Sequence, residues 1–147
     1  MKKVKALIIT GYGINCEEEM AAAYDLAGAN TNIYHLNDIF NGIINIHNYD
    51  ILNFPGGFSF GDDLGSGKVL SNKMKFKKLK SGKLFFNDIK DFLNKGKFVF
   101  GVCNGFQILL ESGLLPGALM QNHTRKFICK NVYVRVETTA TPFTKKC

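Results

Sequence analysis

The chain has 147 residues, 46% of them hydrophobic, which suffices to bury one core and leaves no room for several domains. No apolar run approaches membrane-spanning length, and Met1-Lys2-Lys3 leads into a strand pattern rather than a signal peptide, so a cytoplasmic protein without a membrane partner is expected. The net charge of +7 is local: residues 68–97 carry ten lysines against Asp88 and Asp91 but no arginine and no aromatic platform, so we expect a solvated helical face and no nucleic-acid partner.

In chain order, Val4–Thr10 reads as a short buried strand and Gly11-Tyr12-Gly13 as a turn. Asn15 with Glu18 fits a capping box for a helix. Met20, Ala23, Tyr24 and Ala27 recur along it at helical spacing, and Gly28 ends it. Asn32–Leu36 and Asp50–Phe54 read as the next strands, the latter running into Pro55-Gly56-Gly57. Lys83–Lys95 sets Phe85, Ile89, Phe92 and Leu93 on one helical face and stops at Gly96. Lys97–Phe100 is a strand, Gln107–Glu111 is helical, and Phe127–Val136 alternates like a late strand. Strands alternating with helices predict an α/β fold with an open, mostly parallel sheet covered by helices on both faces. Ligands in such sheets sit at the carboxyl ends of the strands, where residues 55–67 and 101–105 both fall.

Gly101-Val102-Cys103-Asn104-Gly105-Phe106-Gln107 has the order of a nucleophile elbow: strand, sharp turn, helix. Its helix aims free N–H groups at the sulfur, which favours thiolate, the nucleophilic form. Attack on an amide carbonyl creates an oxyanion that backbone N–H groups stabilise. The Asn104 N–H is the natural first donor, and Pro55-Gly56-Gly57-Phe58-Ser59 is suited to supply the second. Cys16, Cys103, Cys129 and Cys147 form no CxxC pair and no ligand ladder with the three histidines, so neither a metal site nor a disulfide framework is expected.

Asn53–Asp62 and Gly101–Leu109 together resemble the class I (triad) glutamine amidotransferases, a flavodoxin-like fold family. Within it they resemble the glutaminase component of phosphoribosylformylglycinamidine synthases. Asn15-Cys16-Glu17, Gly113–Ala118 and Arg125–Cys129 extend the likeness over nearly all of residues 1–136. The resemblance implies Cys103 as the nucleophile that forms a γ-glutamyl thioester. It implies Gly57 and Asn104 as the oxyanion hole, with Gln107, Gly56 and Phe58 around bound glutamine. It also implies that ammonia passes to an ATP- and magnesium-using synthetase subunit in purine biosynthesis, sometimes with a small bridging subunit, while this chain holds no cofactor.

The family completes its triad with a motif resembling His-Gly-Glu-Gly, and the chain contains none. His123 lies after the nucleophile at a position without catalytic duty in the family, and His35 and His47 read as structural. A general base typically supplies about 10²–10⁴-fold. The expectation is therefore a single domain over residues 1–147, C-terminally incomplete, with negligible turnover alone and an exposed sheet edge. Two other readings stay open: a catalytically dead remnant that docks on a synthetase, and an elbow-cysteine protein of the PfpI/DJ-1-like type.

Overall fold

A computed structural model describes residues 3–146; Met1, Lys2 and Cys147 lie outside the described residues. Four parallel strands form one sheet in the order β2-β1-β3-β4, from β1 (Lys5–Thr10), β2 (Asn30–His35), β3 (Ile51–Phe54) and β4 (Phe98–Gly101). From β1 the chain runs outward to β2, then returns past β1 to β3 and β4. The reversal point therefore lies between β1 and β3, where loops leaving their carboxyl ends separate and open a crevice.

Because side chains alternate along a strand, Leu7, Ile9, Leu52 and Phe54 share one face of the sheet, and Ala6, Ile8 and Asn53 the other. The first face is the main core. Helices α2 (Leu36–Phe40), α3 (Lys68–Phe76), α4 (Phe85–Asn94) and α5 (Asn104–Ser112) bring Phe40, Leu70, Met74, Phe85, Ile89, Phe92 and Ile108 onto it, all buried. Each such side chain contributes about 1.5–3 kcal/mol on leaving water. The second face is covered by α1 (Glu17–Leu26), none of whose residues is fully buried. Tyr24 of α1 reaches across to donate to Asn53 Oδ1 at 3.4 Å, while Asn53 Nδ2 is buried without a partner. On β4, Phe98 and Phe100 are covered by the ring of Phe143, at centroid distances of 5.7 and 5.3 Å.

The strands on β1, β3 and β4, the helix over Phe85–Asn94 and its stop at Gly96 fall where expected. Three expectations are corrected. Leu36 does not end β2; it opens α2, whose N-terminus is capped by His35 Nδ1 accepting the Asn37 N–H at 3.0 Å. The capping box does not form. Cys16 occupies the cap position with φ 67°, and Asn15 Oδ1 accepts the Cys16 N–H instead. The chain enters α1 tethered by Asn15 N–H donating to Gly56 O at 2.8 Å, and that tether, not the cap residue, sets its approach. Phe127–Val136 is no strand. It has no ladder partner among the described residues, and Phe127, Val132, Tyr133 and Val134 are exposed. An alternating pattern becomes a strand only where another strand satisfies its N–H and C=O groups.

The lysine-rich stretch is more than a solvated face. α3 and α4 each bury an apolar stripe beneath their lysines, and Lys83 bridges Asp88 and Asp91 at 2.7 Å. His47 is paired with Asp88 at 3.1 Å and packs on the ring of Phe92. Among the described residues no helix is long and apolar enough to cross a membrane.

Candidate functional site

At the reversal point the loops after β1 and β3 are stitched together. Phe58 N–H donates to Gly13 O at 2.9 Å, Asn15 N–H to Gly56 O, and Phe60 N–H to Tyr12 O, around an antiparallel bridge between Ile14 and Gly57. In such a bridge the hydrogen bonds belong to the flanking residues, so the Gly57 N–H points away from the partner loop. Gly57 has φ 124°, and a Cβ there would lie 2.5 Å from Asn15 N, so only glycine fits. Phe60 and Asp62 also take left-handed backbone, at φ 53° and 55°, with the Phe60 ring stacked on Tyr12.

Cys103 stands on the tip of the β4–α5 turn with φ 53° and ψ −116°, a conformation β-substituted residues avoid. The elbow is held down by Val102 N–H donating to Phe54 O at 3.1 Å and Gly105 N–H to Val102 O at 2.8 Å. A Cβ on Gly105 would sit 1.8 Å from Phe54 O, so α5 presses its backbone directly against the end of β3. That close approach brings the two glycine loops together: a Cβ on Gly56 would lie 3.3 Å from Cys103 Cβ and 3.8 Å from Sγ. Cys103 is exposed, as are the neighbouring Phe58, Val102 and Phe106.

The two backbone N–H groups expected to act as oxyanion donors are unpaired. Neither the Gly57 nor the Asn104 N–H donates to any group among the described residues. Asn104 opens α5, where helix geometry leaves its N–H free and adds the positive end of the dipole. Gln107 lies one turn on and is half-buried. Its Oε1 accepts from Asn104 Nδ2 at 3.0 Å. A cavity of about 470 Å³ borders Gln107, lined by Leu64, Lys68, Glu111, Met120 and Phe127 among others. A larger depression of about 630 Å³ lies at the amino ends of the strands, around Lys5, Asn30 and Tyr49. It contains no nucleophile and lies on the wrong edge of a parallel sheet for a ligand, so chemistry rather than volume identifies the site.

No histidine hydrogen-bonds Cys103 Sγ among the described residues. His35 caps α2, His47 pairs with Asp88, and His123 is exposed in the segment after α5. Cys16, Cys103 and Cys129 are free thiols, and no group of three His, Cys, Asp or Glu residues could hold a metal ion among the described residues.

Sequence reasoning missed the buried polar hub beneath the elbow. The Asn104 side chain is wholly buried; its Oδ1 accepts the Ser59 N–H, and its Nδ2 donates to both Asp62 and Gln107. Asp62 sits inside the glycine-rich motif, but nothing in the spacing indicates a partner 42 residues away. The contribution of Gly13–Asn15 to the Gly57 loop is also a tertiary fact.

The CobB/CobQ-like glutamine amidotransferase domain matches residues 3–146. The phosphoribosylformylglycinamidine synthase subunit PurQ of Methanococcus maripaludis (strain C5) is 42% identical over 151 residues, covering 96% of this chain and 54% of that protein. The Thermotoga maritima subunit of the same name is 38% identical, across 97% of this chain and 59% of its own. The solved structure of PurLQS from Thermotoga maritima superposes with a TM-score of 0.67 at 34% identity, covering 88% of this chain and 53% of that one. The chain spans about half the length of the curated relatives it matches.

Proposed function

The chain belongs to the CobB/CobQ-like glutamine amidotransferase family, and from that premise we propose that it carries the nucleophile half of a glutaminase site serving phosphoribosylformylglycinamidine synthase. The observation behind this reading is the strained Cys103 set against Gly56, between two unoccupied backbone donors. Cys103 Sγ attacks the γ-carbonyl carbon of glutamine, and the new C–S bond pushes the carbonyl electrons onto oxygen. The Gly57 and Asn104 N–H groups meet that oxyanion. Its collapse breaks the C–N bond, and ammonia leaves after taking a proton. Water then cleaves the γ-glutamyl thioester to glutamate and frees the thiol. Gln107, Gly56 and Phe58 seat the substrate in this reading.

The proton transfers need a general acid–base group, and none contacts Cys103 among the described residues. Both acylation and thioester hydrolysis lose that assistance, so negligible glutamine turnover is expected from the 147-residue chain alone. The family match supports one glutamine amidotransferase domain and disfavours a PfpI/DJ-1-like protein. The names of its relatives, a synthase subunit and an assembly called PurLQS, support a partner chain; in this reading that partner is a synthetase that receives the ammonia, with a small bridging subunit beside it. ATP and magnesium belong on that partner, and the whole assembly is cytoplasmic in this reading.

The test is covalent labelling by a diazoketone analogue of glutamine, read by intact mass. One adduct on Cys103, prevented by glutamine but not by glutamate and absent in Cys103→Ala, is the expected result. Labelling that glutamine does not prevent would overturn the assignment.

A further inference from the structure

We propose that Asp62 is a positioning residue that acts through the Asn104 carboxamide to make Gln107 present a hydrogen-bond donor, not an acceptor, to the bound amino acid. The inference deepens the glutaminase reading and rests on it.

The chemistry of the partners fixes the direction of each bond. The Ser59 N–H can only donate, so the Asn104 atom facing it at 3.1 Å is Oδ1. The Asp62 carboxylate accepts, so the atom facing it at 3.1 Å is Nδ2. One Nδ2 hydrogen goes to Asp62 and the second goes to Gln107 Oε1 at 3.0 Å. With its oxygen turned toward Asn104, Gln107 keeps its Nε2 amide group unpaired, and that group donates to nothing among the described residues.

A reversed Asn104 would set donor against donor at Ser59 and acceptor against acceptor at Asp62. Asn104 is 0% exposed, so water cannot repair either mismatch. Asp62 is itself pinned, its Oδ1 also accepting the Gly67 N–H at 3.2 Å, in a left-handed backbone that aspartate tolerates. The carboxylate therefore reads through two amides to the substrate side of α5. An oxygen of bound glutamine is favoured opposite Gln107, and a ligand ammonium placed there is rejected.

The experiment measures Cys103 alkylation on the full chain with two probes: the diazoketone analogue, which must be seated, and iodoacetamide, which needs only an accessible thiol. Asp62→Ala, which removes the acceptor that asparagine would keep, is expected to raise the half-saturating concentration of the analogue about tenfold, the size of one well-made hydrogen bond, without changing the iodoacetamide rate. The same substitution in a Gln107→Ala background is expected to add nothing, since Asp62 acts through Gln107. Gln107→Glu keeps the acceptor for Asn104 but removes the donor. It should weaken the analogue similarly, and it tests the polarity even if Asp62→Ala folds poorly. Equal losses with both probes, an Asp62→Ala protein that saturates like the parent, or an undiminished Gln107→Glu would each overturn the proposal. A parent chain whose alkylation by the analogue never saturates would instead remove the glutaminase reading beneath it.

Discussion

Replacing Gly105 by alanine sets two effects against each other, and the structure says which wins. In an ordinary helix the change gains about 0.5–1 kcal/mol from reduced chain entropy. Here the added methyl would stand 1.8 Å from Phe54 O, 1.6 Å short of the 3.4 Å at which ordinary contact begins, with Phe54 C at 2.6 Å and Pro55 O at 2.8 Å. All three atoms are backbone, so no rotamer change relieves the clash; α5 or the end of β3 must move. The same Phe54 carbonyl accepts the Val102 N–H, so the movement also strains a bond that holds the elbow. Overpacking of this kind costs typically about 1–3 kcal/mol, and an immovable backbone places it at the top of that range. Gly105→Ala should therefore lose about 2 kcal/mol net in urea denaturation and about 6 °C in Tm. Gly82 has φ +86° and open space around it, so Gly82→Ala bears only the backbone term of about 1–2 kcal/mol. A Gly105→Ala protein as stable as the parent would refute the close approach of α5 to β3, and with it the placement of Cys103 beside Gly56.

Cys103→Gly relieves a strained backbone at an exposed position. It should stabilise the fold by about 1 kcal/mol after the entropy of glycine is subtracted, while abolishing labelling; a destabilised variant would show that the elbow is not strained. Phe92→Ala opens the core beneath α4 and should cost about 3–5 kcal/mol by the same denaturation assay, with a loss under 1 kcal/mol speaking against its burial. The bond to Lys83 holds the Asp91 carboxyl below its usual range, and bonds to Asp88 and then Asp91 raise the Lys83 ammonium. The resulting stability is present above the ordinary carboxylate pKa and lost as pH falls through the lowered Asp91 value. At the other limit it is present below the ordinary lysine pKa and lost as pH rises through the raised Lys83 value. Stability curves of the parent and Lys83→Met should therefore keep a constant gap from about pH 5 to 9 and converge as pH falls through the lowered Asp91 value. A gap that widens in acid would contradict the pairing.

Sequence reading succeeded where a signal is contiguous. The apolar runs of β1 and β3, the stripe of Phe85, Ile89 and Phe92, and the strand–turn–helix order around Cys103 each lie within a dozen residues. Their physics is local: period, propensity and the backbone freedom of glycine. It failed where the outcome depends on a distant partner. The Asn15–Glu18 pattern is a sound capping box, but Gly56 captures Asn15 and sends the chain into α1 by another route. The alternation in residues 127–136 is a sound strand pattern, yet among the described residues nothing pairs with it.

The sequence alone determined the alternating α/β architecture, the sharp strand-to-helix turn that carries Cys103 and the two glycine loops around it, because these follow from short-range sterics and hydrophobic periodicity. Only the tertiary structure decided that the loop after β1 locks Gly57, and that Asn104 turns its side chain inward to join Ser59, Asp62 and Gln107. A hydrogen bond is directional and reaches about 3 Å, so which groups it joins is settled only when sheet order has brought them together.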